Sequence, residues 1–386
     1  MLLRLALVAV GLGMFSFGAF SKPAFGSLDS SFGKKGIAQA GICGAKQILM
    51  LPDQSMIIFK QSKETMTLLK LTQSGLWDST FANKGVLRIE SGWDAEQSRL
   101  VLQKNLDIAL ISGDATNLQR MRISPLGRVL NQSKFDFPKL NDLAPSLVRW
   151  TRNNTFFAVY QANQKLLIAR YTGQLELDTS FGTAGLTELS TITPAILAQL
   201  SAFGSATPSI EIMGLTVADD GSLILTATID FVGRRLMLAK FRANGQLETG
   251  FADNGVDIDG LAYEISSYFA VRVLPNQGLV MFRGLDNSPQ GDAEFYSALW
   301  FGATGSLEDS QTLGEAQSQN FRAWSFATGD VFLLENSKIK LLRNQAKPRQ
   351  LIAKLQQLEI LEQTTDGKVI IGECVKKQLL LRRLHL

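Results

Sequence analysis

The chain has 386 residues, of which 45% are hydrophobic and 19% are charged, and its formal net charge at pH 7 is +4. This composition provides a large core and excludes an intrinsically disordered chain. The single histidine, His385, excludes zinc sites built from several histidines and disfavours catalysis by Ser-His-Asp or Cys-His groups. Short apolar segments separated by Gly, Asn and Asp predict an all-β protein.

The first 21 residues have the pattern of a signal peptide. Arg4 provides the positive start, residues 5–20 carry no charge, and Ala19 and Ser21 are small residues of the kind that precede a cleavage site. We therefore expect this segment to be removed and the protein to reside in the periplasm or outside a bacterial cell, with no membrane span after cleavage. An uncleaved membrane anchor is the alternative, although a typical span needs ~20 apolar residues.

A short phrase recurs along the chain. It usually begins with Gly, has an Asp or Glu three positions later, a Phe three positions after that, and a final Gly. Weaker copies, which have lost the Phe and the final Gly, start at Gly127, at Gly305 and near Gln345. The clear copies span Gly26–Gly36, Gly75–Gly85, Leu175–Gly185 and Gly245–Gly255.

A second motif, a polar turn followed by an apolar run, lies between successive copies of the phrase. Asn, Asp or Gly in each turn favours the positive φ of a tight hairpin. The phrases and the hairpins each number seven, so two independent counts give the same number of repeats. The turns lie at Pro52–Gln54, Asn105, Asn153–Asn154, Asp220–Gly221, Asn276–Gly278, Gly329–Asp330 and Asp366–Gly367.

The alternation of phrase and hairpin resembles the delta-60 repeat family of bacterial exported proteins, most closely in the copies at Asp29, Asp178 and Asp366. The resemblance covers the whole chain after residue 21 and implies a β-propeller, but it implies no activity. The spacing leads to the same fold, because a unit of roughly 50 residues holds about four short strands, and such a sheet must bury its faces against neighbouring sheets. We predict that residues 22–386 form one all-β domain, a seven-bladed β-propeller.

The two ends of the chain predict how the ring closes. Residues 379–386 match the strand that precedes the phrase elsewhere, but the phrase that should follow stands at the other end of the chain, from Gly26 to Asp29. We therefore expect the N-terminal strand to complete the last blade, which removes open sheet edges. A superhelical stack, the alternative, would need capping repeats. Closure should also bring Cys43 near Cys374, and we predict a disulfide between them, with two free thiols as the alternative.

The recurring residues of the phrase have a structural interpretation. We expect each Phe to fill the core between neighbouring blades and each acidic residue to accept hydrogen bonds from turn amides. Basic residues near the end of the preceding strand, at Lys70, Arg122, Arg170 and Lys240, suggest an ion pair within each blade. Metal binding by the acidic residues is the alternative. The predicted structural residues are Asp29, Phe32, Asp78, Phe81, Asp178, Phe181, Glu248 and Phe251.

Strand parity places the hairpin turns and the phrases on one face of the ring and the remaining connections on the other. This second face carries two insertions, at residues 190–209 and 286–294. In the first insertion, Thr193 and Pro194 precede an apolar run that predicts a short helix ending near Leu200. Extra loops on one face of a repeat protein often mark its binding side, although neutral loop variation produces the same pattern.

The sequence contains no HExxH motif, no P-loop and no nucleic-acid-binding motif, and it predicts no cofactor. A calcium or magnesium site in the central channel stays open, since such a site needs only Asp, Asn and carbonyl oxygens. We favour a non-catalytic binding or scaffold propeller, a monomer that recruits a protein or a cell-envelope glycan, and no nucleic acid, through the face with the insertions. The alternative is a divalent-cation-dependent hydrolase or lyase with its site in the channel.

Overall fold

The computed structural model shows strands as the regular secondary structure throughout the part of the chain that it describes. These strands form seven antiparallel sheets of four strands each. Within the same part of the chain, no helix is long and apolar enough to cross a membrane. The described residues are 23–62, 65–90, 98–113, 118–136, 138–151, 153–162, 165–190, 209–218, 220–230, 234–258, 264–274, 276–286, 294–315, 322–326, 328–335, 338–352, 357–364 and 366–386.

Each sheet is one blade, and the strands follow the chain from blade to blade. The first strand, β1 (Ile37–Ile42), belongs to the last blade. Blades 1 to 3 comprise β2 (Ala45–Met50), β3 (Met56–Gln61), β4 (Thr65–Leu71) and β5 (Val86–Glu90); β6 (Arg99–Leu102), β7 (Ile108–Gly113), β8 (Leu118–Ile123) and β9 (Val129–Phe135); and β10 (Leu147–Trp150), β11 (Phe156–Ala162), β12 (Lys165–Tyr171) and β13 (Leu186–Ser190).

The remaining blades repeat this order. Blade 4 comprises β14 (Ser209–Val217), β15 (Leu223–Asp230), β16 (Arg234–Phe241) and β17 (Val256–Ile258), and blade 5 comprises β18 (Glu264–Val273), β19 (Leu279–Asp286), β20 (Glu294–Phe301) and β21 (Leu307–Glu315). Blade 6 comprises β22 (Arg322–Ser325), β23 (Val331–Glu335), β24 (Lys338–Arg343) and β25 (Ala346–Ile352), and blade 7 comprises β26 (Leu358–Gln363), β27 (Val369–Val375), β28 (Gln378–Leu384) and β1.

The first strand of each blade is the innermost. These strands contact one another around the ring: β2 contacts β6 and β26, β14 contacts β10 and β18, and β18 contacts β22. From the first strand, each blade runs outward through its second, third and fourth strands. The first strands therefore line a central channel, and the fourth strands form the outer wall.

The ring closes as the sequence predicts. Strand β1 pairs antiparallel with β28, with Ile37 opposite Arg382. The pairing continues into the phrase, where the Asp29 backbone N–H donates to the carbonyl oxygen of Arg383 at 2.8 Å. The N-terminal strand is thus the fourth strand of blade 7, and the prediction of a seven-bladed propeller closed in this way is confirmed.

The recurring Phe side chains fill the core between blades. Phe32, Phe81, Phe181 and Phe251 are completely buried, and each packs among residues of two adjacent blades. The first Gly of the next phrase lies against the aromatic ring of the Phe. A Cβ on Gly75, for example, would stand only 2.7 Å from the ring of Phe32. Gly75 also has a φ of +77°, so the repeat needs Gly there both for space and for backbone conformation.

The connections on the two faces differ in length. The hairpin turn between the first and second strands has five residues in every blade, as in residues 51–55 and 218–222. The links from a fourth strand to the next first strand range from two residues, 43–44, to eighteen, 191–208. The predicted signal peptide, the predicted helix and the interiors of both predicted insertions lie outside the described residues.

Candidate functional site

Asp29 is the centre of an ion-pair cluster on the face that carries the phrases and hairpin turns. It accepts hydrogen bonds from the backbone N–H of Ser31 (3.1 Å) and from its hydroxyl (2.6 Å). It also pairs with Arg383 (2.7 Å) and Lys368 (3.0 Å). Burial opposes ionisation, but the hydrogen bonds from Ser31 and Lys368 and the charge of Arg383 outweigh it and hold the pKa of Asp29 well below its ordinary value. The predicted hydrogen bond to a turn amide is confirmed.

The same arrangement recurs in blades 1 and 3. The Nζ of Lys70 lies 2.9 Å from Asp78, and the Nε of Arg170 lies 2.8 Å from Asp178. For Asp78, burial acts to raise the pKa, but the hydrogen bonds from Thr80 and Lys70 outweigh it, so the pKa is lowered. The predicted ion pair within the blade is confirmed for these two blades.

In blade 4 an ion pair forms within the blade, but its cation is not the predicted Lys240. Glu248 pairs with Arg242 at 2.9 Å. The Nζ of Lys240 instead donates to the carbonyl oxygens of Gln277 (2.9 Å) and Ala303 (3.4 Å) in blade 5. Lys240 is almost fully buried, so its ammonium bonds inter-blade carbonyls, whereas Arg242 stands on the exposed turn beside the carboxylate.

Where the phrase lacks an acidic residue at its fourth position, the hairpin turn supplies one. In blade 2, Arg122 pairs with Asp107 at 2.6 Å, and in blade 6 Arg343 pairs with Asp330 at 2.6 Å. Both carboxylates belong to the last residue of a five-residue turn. These two carboxylates were not among the predicted partners, although an acidic residue at that position of the turn is visible in the sequence.

The cations of these clusters also contact the core and the next blade. The guanidinium of Arg383 lies 4.7 Å from the centroid of the Phe32 ring, and the ammonium of Lys70 lies 5.9 Å from that of Phe81. Arg383 additionally donates to the carbonyl oxygen of Gln73 in blade 1 at 2.6 Å. Phe32 and Phe81 of the phrase are therefore in contact with these cations, and Arg383 links blade 7 to blade 1.

Cys43 and Cys374 form the predicted disulfide, with their Cα atoms 5.5 Å apart. The bond joins the link after β1 to the end of β27, so it closes blade 7 covalently. Beside it, both oxygens of Glu359 accept from the backbone N–H of Gly44 at 2.9 Å, and one also accepts from Ala45 at 3.0 Å. Among the described residues, Cys43, Glu359 and Cys374 are the one group of three potential metal ligands within mutual reach, but both sulfurs are in the disulfide.

The innermost strands, which line the channel, carry charges of both signs. Burial raises the pKa of Glu362 on β26 to about 7, and the positive charge of Arg272 on β18 partly offsets this. Burial, followed by the like charge of Arg149 on β10, lowers the pKa of Arg99 on β6 to about 10. Charged side chains on different innermost strands are therefore close enough to affect one another's ionisation.

The hairpin turns are bonded within themselves and to one another. Asp220 accepts hydrogen bonds from the backbone N–H and the hydroxyl of Ser222, at 2.9 and 2.7 Å. The side-chain amide of Gln277, in the turn of the next blade, donates to Asp220 at 3.0 Å. This bonding fixes the turn face, whereas the opposite face carries the links of unequal length.

Comparison with known proteins gives fold likenesses only. No protein-family model matches the chain, and no curated protein matches it. The chain is similar to the β-propeller domain of Nup133 from Vanderwaltozyma polyspora, with 11% identity over 90% of this chain and 97% of that chain and a TM-score of 0.48. It is also similar to the β-propeller domain of the Trilobed protease from Pyrococcus furiosus, with 9% identity over 90% and 95% and a TM-score of 0.44. Both likenesses are weak, and the seven-bladed architecture rests on the strand pairing described above.

Proposed function

We propose that the chain is an exported, non-catalytic binding propeller of the delta-60 repeat type. It recruits a protein or a cell-envelope glycan through the face that carries the long links, which are the longer connections between successive blades, up to the eighteen residues of 191–208. The contrast between the two faces carries the proposal. One face has seven turns of equal length that are fixed by hydrogen bonds and ion pairs, and the other has links of two to eighteen residues. Variable loops positioned by a rigid scaffold are a common form of binding surface.

The disulfide supports the exported location. Structural disulfides persist in oxidising compartments and are rare in the cytosol of mesophiles. The bond between Cys43 and Cys374 closes the ring at the seam, where β1 would otherwise be held only by its noncovalent pairing with β28.

Cross-linking in the native cell envelope tests the proposed face. One variant replaces residues 191–208 by a short Gly-Ser linker, and a matched control replaces the exposed Leu106 and Leu126 of the turn face by Ser. Cross-linking followed by mass spectrometry should place partner contacts on the long links of the unmodified protein. The linker variant should lose these contacts while keeping its thermal unfolding transition, and the control should retain them. Contacts that persist in the folded linker variant, or that disappear only in the control, would contradict the proposal.

A further inference from the structure

A groove lies at the seam where the ring closes. Its volume is about 440 Å³, within the range of ~300–1,000 Å³ that small-molecule sites occupy. One wall comes from the end of β1 and the link after it, and the other from the outer strands of blade 1. All of its lining residues are among those that the structure describes.

A row of polar side chains crosses blade 1 beneath this groove. Lys60 on β3 is opposite Thr67 on β4, and Thr67 is opposite Arg88 on β5. Residues directly opposite one another in a sheet project to the same side. The neighbouring residues Leu69 and Val86 pack in the core between blades 7 and 1, so the polar row also faces blade 7.

The equivalent row in blade 4 is apolar. There Ala227 is opposite Met237, and Met237 is opposite Ile258. Ala227 and Met237 are completely buried in the core between blades 3 and 4. The polar row of blade 1 is therefore not a requirement of the repeat, because the same position in another blade forms ordinary core.

The facing wall leaves the polar row accessible. A Cβ on Gly41 would stand 3.8 Å from the Nζ of Lys60, and one on Gly44 would meet no atom within 4 Å. The pairing of β1 with β28 is also irregular between Gln39 and Ile42. Glycines and an irregular strand thus keep side chains out of the groove on the side opposite Lys60.

The groove is cationic. Lys60 donates to the carbonyl oxygen of Ala40 at 3.1 Å, which leaves further N–H groups of its ammonium for another acceptor. Arg88 is exposed to solvent, and none of the residues that line the groove is Asp or Glu. Glu359 lies near enough to Lys60 to favour its charge, but its oxygens already accept from the backbone of the neighbouring link. Burial nevertheless lowers the pKa of Lys60, so an anion beside it would restore a favourable environment for the charge.

An aromatic surface borders the polar row. The side chain of Trp77 lines the groove, is 41% exposed and lies beside Gly85, which precedes Val86 in the chain. A flat indole next to a hydroxyl and two cations matches a sugar that carries an acid group, because the ring of the sugar has an apolar face, several hydroxyls and a carboxylate. Lys60 and Arg88 are separated by about 10 Å across three strands, so their long side chains can meet one carboxylate or those of two successive sugars.

We propose that the seam groove binds a carboxylate-bearing saccharide, with Trp77 against the sugar ring, Thr67 bonding a hydroxyl, and Lys60 and Arg88 holding the carboxylate. This site goes beyond the proposed function. The seam groove and the long links involve different residues, so saccharide binding and partner recruitment can fail independently of each other.

Calorimetric titration of the full disulfide-bonded chain with trigalacturonate tests the proposal. The comparison ligands are its fully methyl-esterified form, which keeps the sugars but not the charges, and a tripeptide with three carboxylates. Trigalacturonate should bind at millimolar concentration or below, and both comparison ligands should bind at least about tenfold more weakly, as expected when charge-assisted hydrogen bonds are lost.

Matched variants localise the binding. Arg88→Ala and Trp77→Ala should each weaken trigalacturonate binding about tenfold or more. The controls are Lys134→Ala, at the equivalent exposed position in blade 2, and Leu177→Ala, at the position of the phrase that corresponds to Trp77; both should leave the affinity within about twofold. The proposal is overturned if trigalacturonate does not bind, if either comparison ligand binds as well, or if the groove variants keep full affinity.

Discussion

Replacement of both Cys43 and Cys374 by Ala removes the covalent closure of the ring while leaving the pairing of β1 with β28 in place. The disulfide spans a sequence separation of 331 residues. Chain entropy alone assigns such a loop about 5–6 kcal/mol at 25 °C, and native disulfides more often contribute about 2–5 kcal/mol. We therefore expect the double variant to fold into the same ring, with its free energy of unfolding lowered by about 2–5 kcal/mol.

Urea unfolding followed by tryptophan fluorescence measures this change. Unmodified protein treated with a reductant should unfold at the same urea concentration as the double variant, and the reductant should have no effect on the variant. A changed slope would indicate a changed denatured state or a loss of two-state behaviour in addition to altered stability. An unchanged midpoint after reduction verified by mass spectrometry, or two alkylatable thiols in protein purified without a reductant, would refute the assigned role of the disulfide.

Three further predictions concern the core, the ion pairs and the metal alternative. Phe181→Ala should lower the free energy of unfolding by about 3–5 kcal/mol, whereas Leu177→Ala, at a side chain that is 38% exposed, should lower it by less than about 1 kcal/mol; similar losses in urea titration would contradict the assigned core position. Because the pKa of Asp29 is lowered in the folded state, its contribution is complete above the ordinary value of about 3.8 and is lost as the pH falls below it. Asp29→Asn should therefore be less stable than the unmodified protein at pH 7, with a difference that shrinks below about pH 4, and a difference independent of pH would count against the ion pair. Elemental analysis after dialysis should find calcium and magnesium well below one ion per chain, and a stoichiometric ion would favour the hydrolase alternative.

The fold could be predicted from the sequence because every blade has the same physical requirement. An apolar side chain must fill the space between neighbouring sheets, and Phe81 and Phe181 occupy the same position of the phrase and are both completely buried between two blades. The closure could be predicted because a strand like that of Arg383 is followed by the phrase in the other repeats. Here the phrase, with Asp29, stands at the other end of the chain, and Arg383 pairs with Asp29. These features depend on position within the repeat, which the sequence shows directly.

The partners of individual charges are harder to predict, because they depend on contacts between blades. Lys240 occupies the same repeat position as Lys70, yet its ammonium bonds two carbonyl oxygens of blade 5 and leaves Glu248 to Arg242. The seam groove also depends on a contact between blades. Lys60 of blade 1 faces the groove because β1 belongs to blade 7, and the spacing of residues in the sequence does not show that Gly41 lies opposite Lys60.

The location of the disulfide also determines how the ring would respond to mechanical load. The backbone N–H of Gly26 donates to the carbonyl oxygen of His385 at 2.7 Å, so tension applied at residues 26 and 385 enters blade 7 from both sides. Such tension would separate β1 from β28 and then reach the Cys43–Cys374 bond, which carries the force directly from one segment to the other. The chain between the two cysteines, which includes all of blades 1 to 6, would then bear no tension, and extension would stop after the short terminal segments had been pulled straight.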